Sequence, residues 1–170
     1  MGARRRTDPA VSLTDRARLG GLAGLVAAAA TGGALAGFGL RDGGVLRAFG
    51  AVGRAALLNA PLESGAARTL AAVVGMFVHV GVLGLWGVLL GVLAAPLRGI
   101  RILAAASVLS AMAFVVHRAV LPALLRPGNA VTALTPQIPR LVALHALLAI
   151  SLAIGMRVAK LGTDVDERTR

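Results

Sequence analysis

The sequence predicts an all-α fold, an integral membrane bundle of four transmembrane helices with a short amphipathic interfacial helix in its first outer loop. Three observations carry this. Of 170 residues, 57% are hydrophobic and 15% charged, whereas a soluble domain carries about a quarter charged residues. The apolar excess lies in runs of the length that crosses a bilayer, about 20 residues. The basic residues flank those runs, so the net charge of +11 has a topological explanation.

A polar, basic N-terminal tail, expected over 1–18, carries Arg4, Arg5, Arg6, Arg16 and Arg18. The first span, 19–40, is rich in Gly and Ala and covers about 30 Å at 1.5 Å per residue. A signal peptide has a shorter apolar region of about 7–15 residues, so a retained span is expected. Between 41 and 68 charges interleave with small and aliphatic residues. There Val45, Phe49, Val52 and Ala56 fall on one helical face and Arg47 and Arg54 on the other, which suggests a helix lying at the membrane interface or against a partner. Pro61 ends it.

The second span, 69–95, stops at Pro96. Arg98 and Arg101 bracket a turn so short that spans two and three are expected to form an antiparallel pair. The third span, 101–125, contains Pro122, which supplies no amide hydrogen to the Arg118 carbonyl and is expected to kink the last turns. The fourth, 139–159, follows the loop RPGNAVTALT. Pro136 and Pro139 are tolerated at its start, because the first helical amides need no intrahelical partner. A charged tail, 161–170, closes the chain.

Four spans place both ends on one side. That side would hold eleven of the 18 basic residues: the five arginines of the N-terminal tail, Arg98, Arg101, Arg157, Lys160, Arg168 and Arg170. The positive-inside rule then puts both termini in the cytoplasm of a bacterium, with the protein in the inner membrane.

Helices in lipid associate through close packing of small residues. Candidate contacts are Gly20 and Gly24, Gly33 and Gly37, Gly87 and Gly91, and the face formed by Ala106, Ser110, Ala113 and His117.

All three histidines lie in spans, and the antiparallel order brings His79, His117 and His145 to a similar depth in one leaflet. Neutral imidazole coordinates haem iron or the magnesium of a chlorophyll. Equally, each ring can be a polar side chain hydrogen-bonded to a neighbouring helix. Arg118 is the one charge within a span. It is either functional or a snorkelling side chain that meets Glu63, Asp42 or a lipid phosphate. Trp86, seven residues from His79, shares its face and is read as a packing residue.

Several function classes are excluded. Cysteine is absent, which removes disulfide, thiolate-metal and thiol chemistry. No Asp or Glu lies within a span, so a carboxylate proton relay or cation path cannot be assembled from this chain. No hydrolase set, phosphate-binding Gly loop or HExxH pair occurs. No aromatic-and-basic groove pattern supports nucleic-acid binding.

The stretches FVHVGVLGLWGVLLGVLAAPLRG, FVVHRAVLPALLRP and LVALHALLAISLAIG resemble the histidine-then-glycine spans of small, uncharacterised bacterial inner-membrane proteins. The resemblance covers about half the chain. It implies a multi-span inner-membrane fold and transfers no activity.

The functional expectation is a non-catalytic accessory or structural subunit of a larger bacterial membrane complex, of respiratory or photosynthetic type. Its partners are the bilayer and other membrane subunits, held through the glycine faces, Arg47, Arg54 and Arg118. Two alternatives stand beside it. One is a carrier of haem or bacteriochlorophyll ligated by His79, His117 or His145; the other is a small transporter or channel in which Arg118 selects an anion.

Overall fold

The structure, a computed structural model, describes residues 12–57, 64–120 and 138–168. Among these it is all-helical: α1 (Leu13–Arg41), α2 (Arg47–Ala56), α3 (Gly65–Ala94), α4 (Ile100–Val115), which continues as a π-helical turn (Val116–Val120), and α5 (Ile138–Arg168). Four of these segments are long and apolar enough to cross a membrane: 13–41, 65–94, 100–119 and 138–162. The tail at 1–11, Pro61, Glu63, Pro122, Arg126 and the loop RPGNAVTALT lie outside the described residues.

The helices overrun the apolar runs at their ends, and capping explains where two of them begin. Ser12 accepts a hydrogen bond from the Asp15 amide at 3.1 Å, and its hydroxyl donates to Asp15 Oδ2 at 2.6 Å. This side-chain and backbone reciprocity starts α1 at Leu13, inside the segment expected to be tail. Ser64 does the same for α3, accepting from the Ala67 amide at 3.1 Å. At the other end α5 continues to Arg168, so most of the expected C-terminal tail is helical.

The packing order differs from the chain order. α1 lies between α3 and α5, α4 packs on α5, and α2 packs on α3. All neighbouring long helices run antiparallel: Gly20 faces Gly87 and Gly91, Ala23 meets Gly155, and Ser110 bonds across to His145. α3 and α4 are antiparallel as expected, yet they touch little although a short turn joins them. The reason for the sparse contact lies in the small residues.

A Cβ placed on Gly20 would sit 2.2 Å from the Gly87 carbonyl oxygen, and one on Gly24 would sit 2.5 Å from the Leu83 carbonyl oxygen. Viewed from α3, a Cβ on Gly87 would lie 2.5 Å from Gly24 Cα, and one on Gly91 would lie 2.1 Å from the Arg16 carbonyl oxygen. No residue larger than glycine fits at these positions without moving a backbone. α1 thus occupies the small-residue face of α3. The small face of α4 is taken by α5: Ala106, Ser110 and Ala113 are buried, and the Ser110 hydroxyl donates to the His145 carbonyl at 2.6 Å. Gly33 and Gly37, expected to make a similar contact, meet nothing within 4 Å. They lie on the side of α1 opposite Gly20 and Gly24, and no described helix lies against them.

The α3–α4 turn contains Pro96, which cannot continue the helix, and Gly99, whose φ of +58° favours glycine. Two cations of α5 close it. Lys160 Nζ donates to the Ala95 and Leu97 carbonyls at 2.5 and 2.7 Å, and Arg157 donates to the Gly99 carbonyl at 3.1 Å. Positive charge there satisfies carbonyls that the end of α3 leaves unpaired.

The expected amphipathic helix is present as α2, with Arg47 and Arg54 exposed. Its buried positions are Phe49 and Gly53, rather than the whole Val45–Ala56 stripe. A Cβ on Gly53 would fall 1.7 Å from the Ala71 carbonyl oxygen, and one on Gly75 would fall 1.8 Å from the Phe49 carbonyl oxygen. The partner of this helix is thus α3 itself, met through a second glycine contact that a reading of hydrophobic periodicity passes over.

The described part of this span ends in a wider π-helical turn, Val116–Val120. The kink expected at Pro122 lies outside the described residues.

Replacing Gly87 by Leu should destabilise the bundle by about 3 kcal/mol, the upper end of overpacking costs, whereas Gly33→Leu should leave stability within about 0.5 kcal/mol. Denaturant titration of both variants in detergent micelles, followed by circular dichroism, measures the difference.

Candidate functional site

The separation of α3 from α4 leaves a cavity of about 820 Å³, floored by α1 and walled by α2 and α3 on one side and α4 and α5 on the other. Its body is apolar, with Leu35, Phe49, Val82, Trp86, Leu144 and Leu148 in the lining. Both the size and the character are those of a small-molecule site, typically about 300–1,000 Å³. All three histidines line it, each from a different helix. His79, His117 and His145, expected at a common depth, thus border one shared space. Trp86 packs on the core as expected and also lines the cavity.

The three rings are held differently. On α1, the Thr31 hydroxyl donates its proton to the Ala27 carbonyl at 2.7 Å. His79 Nε2 lies 3.2 Å from Thr31 Oγ1 and 3.3 Å from the Ala28 carbonyl oxygen. Both of these act as acceptors, so Nε2 carries the hydrogen and donates to α1. Phe49 closes edge-on against the ring at 5.6 Å between centroids. His79 is thereby a bridge from α3 to α1, with its Nε2 already engaged.

His145 Nδ1 donates to the Leu141 carbonyl one turn back, at 2.8 Å. This fixes the tautomer and leaves Nε2 with a lone pair, the arrangement that orients a ligating histidine. Phe114 packs edge-on to it at 5.2 Å and His117 lies at 5.8 Å, both in T-shaped geometry. His117 sits in the π-turn, and its Nε2 is buried with no hydrogen-bond partner among the described residues. A buried polar atom without a partner is uncommon, since leaving it unpaired costs about 1–3 kcal/mol. Among the described residues no group of three or more His, Asp or Glu converges to hold a metal ion.

The end of the cavity at the α1–α2 corner is polar. Arg140, in the first turn of α5, pairs with Asp42 at 2.5 Å and lies over the Phe38 ring at 5.3 Å. Arg47 donates to the Asp42 carbonyl. The Arg140 hydrogen bond and charge, with a smaller effect from Arg47, hold the Asp42 carboxyl below its ordinary value of 3.8. Asp42, Arg47 and Arg140 all line the cavity.

Arg118 is exposed and does not line the cavity. Its suggested partner Asp42 is taken by Arg140 instead, because Arg140 enters from α5 beside the C-terminus of α1. Arg54 is exposed on the outer face of α2. Gly87 and Gly91 are helix-contact residues distant from the histidines, and Gly33 and Gly37 face outward. Arg140 and Thr31 are site residues that the sequence reading missed. Thr31 lies amid small apolar residues, and Arg140 stands at a span boundary where topology alone accounts for it.

No protein-family model, curated protein or solved structure matches the chain.

Thr31→Val should remove one acceptor of His79 and cost about 0.6 kcal/mol, the mean for hydrogen bonds between helices in a bilayer. Chemical denaturation in micelles reads the loss, and a chemical-shift change at His79 in a ¹⁵N-histidine spectrum should accompany it.

Proposed function

We propose that this chain is a non-catalytic, multi-pass protein of the bacterial cytoplasmic membrane that holds a metallotetrapyrrole, of the haem or bacteriochlorophyll type, in the histidine-lined cavity. The membrane part of the reading is supported by the apolar side chains on the outer surface, such as Phe77 and Leu85, which are 74% and 69% exposed. Water would oppose such a surface and lipid accepts it. The charge asymmetry supports cytoplasmic termini.

The observation that carries the ligand reading is His145, which lines the cavity with Nδ1 fixed by the Leu141 carbonyl and Nε2 left as an acceptor. His117 stands beside it, its Nε2 enclosed by protein and without a hydrogen-bond partner among the described residues. Two imidazoles on one wall are too few for a bare structural metal, which needs about four protein ligands. A tetrapyrrole carries its own metal-binding nitrogens, so one imidazole, that of His145, would suffice to hold it. The apolar lining would exclude water from the macrocycle, which supplies light absorption or electron transfer. His79, whose Nε2 donates to α1, serves as a brace rather than a ligand. The channel reading has less support, since Arg118 lies outside the cavity.

A second feature favours membership of a larger respiratory or photosynthetic assembly. Gly33 and Gly37 form a small-residue face that no described helix covers, and faces of that kind seat neighbouring spans.

Gentle purification from a host that makes both pigments tests the two together. A coloured protein with co-purifying membrane chains is expected, with the colour lost in the His117→Ala, His145→Ala double variant. A colourless chain from such a host would contradict the ligand reading, and a solitary chain the assembly reading.

A further inference from the structure

The polar end of the cavity has more donors than its own contacts use. Each guanidinium offers five N–H groups in a planar fork suited to carboxylate. Arg47 directs one toward the Asp42 backbone carbonyl, and Arg140 directs one toward the Asp42 carboxylate. Two guanidinium groups face one carboxylate, so this rim keeps a net positive charge. Asp42 is itself 41% exposed and Arg140 31%, so the pair is open to a competing anion.

The rim is continuous with the apolar body. Arg140, Leu141, Leu144, His145 and Leu148 follow one another along α5 and all line the cavity. The five residues from Arg140 to His145 correspond to about 7.5 Å along a helix. Phe38, under the Arg140 guanidinium, begins the apolar wall. A site with cations at one end, an apolar middle and imidazole beyond matches an amphiphile with its acid group at one edge.

We propose that Arg47 and Arg140 form a carboxylate-binding rim, and that the ligand of this cavity carries its acid groups there while its apolar body lies between Trp86 and Leu144. The inference rests on the tetrapyrrole reading and sharpens it. It selects a ligand with free carboxylates over one whose acids are esterified. Asp42 then acts as the internal stand-in that occupies Arg140 until the ligand carboxylate displaces it.

The test is an absorption titration of the full-length protein in neutral detergent micelles with iron protoporphyrin IX and with its dimethyl ester. The diacid should bind about tenfold or more tightly than the diester, the scale of a charge-assisted hydrogen-bond pair. Arg47→Gln should bring the diacid close to the diester and leave the diester unchanged. Arg140→Gln should do the same, and Arg47→Gln guards against the case in which loss of the Asp42 pair unsettles the fold. Arg54→Gln, on the outer face of α2, should change neither. Equal affinity for diacid and diester, or equal weakening of both in the rim variants, would overturn the rim while leaving the histidine site standing. If neither compound binds, both the rim and the cavity reading are overturned.

Discussion

The contact of backbone on backbone where α1 crosses α3 is the constraint on which the rest of this structure depends. Gly20 and Gly24 meet Gly87 and Gly91 so closely that no Cβ fits on either side. On the reading that the bundle lies in lipid, apolar area alone does not distinguish one helix partner from another. Association then follows the helices that approach most closely and gain the most dispersion and Cα–H···O contact. The glycine faces therefore outrank chain connectivity in deciding which helices become neighbours.

The open space follows from that choice. Once α1 covers the small face of α3, α4 turns its own small face, Ala106, Ser110 and Ala113, to α5. The turn at Ala95–Gly99 must then join two helices that do not pack on each other along their length. Lys160 and Arg157 hold its carbonyls from the α5 side, which fixes the closed end. At the other end α2 folds back on α3 through Gly53 and Gly75, and Arg140 ties α5 to the α1 corner through Asp42. The cavity is thus bounded by contacts made for packing, and the histidines face it because their helices diverge there.

Much of this was legible in the sequence. Run lengths and boundary charges give four long apolar helices in the right places, and the residue pattern gives an amphipathic helix between the first two. The common level of the histidines follows from counting residues along antiparallel spans. What was not legible has a physical cause in each case. Gly20–Gly24 and Gly33–Gly37 have the same spacing but lie on opposite sides of α1 at 3.6 residues per turn, and which of those sides meets α3 is decided by the helices together. Gly53 and Gly75 are isolated glycines without a motif, so their contact is a property of two helices together. Pairing of Asp42 with Arg140 rather than Arg118 depends on the spatial order of α1 and α5, which the chain order does not contain. The state of each ring also lies beyond sequence: His79 donates to α1 because Thr31 has already spent its proton on Ala27.

Glycine packing joins α1 to α3 and leaves α3 and α4 apart around a cavity. Because the chain contains no cysteine, paired cysteine substitution reads it directly. A Cβ on Gly21 would lie 3.8 Å from a Val88 side-chain methyl, so Gly21→Cys with Val88→Cys should form an intramolecular disulfide under mild oxidation in the membrane. Val82→Cys with Ala113→Cys, on the two helices across the cavity, should not. Efficient crosslinking of Val82 to Ala113, with none between positions 21 and 88, would contradict the account.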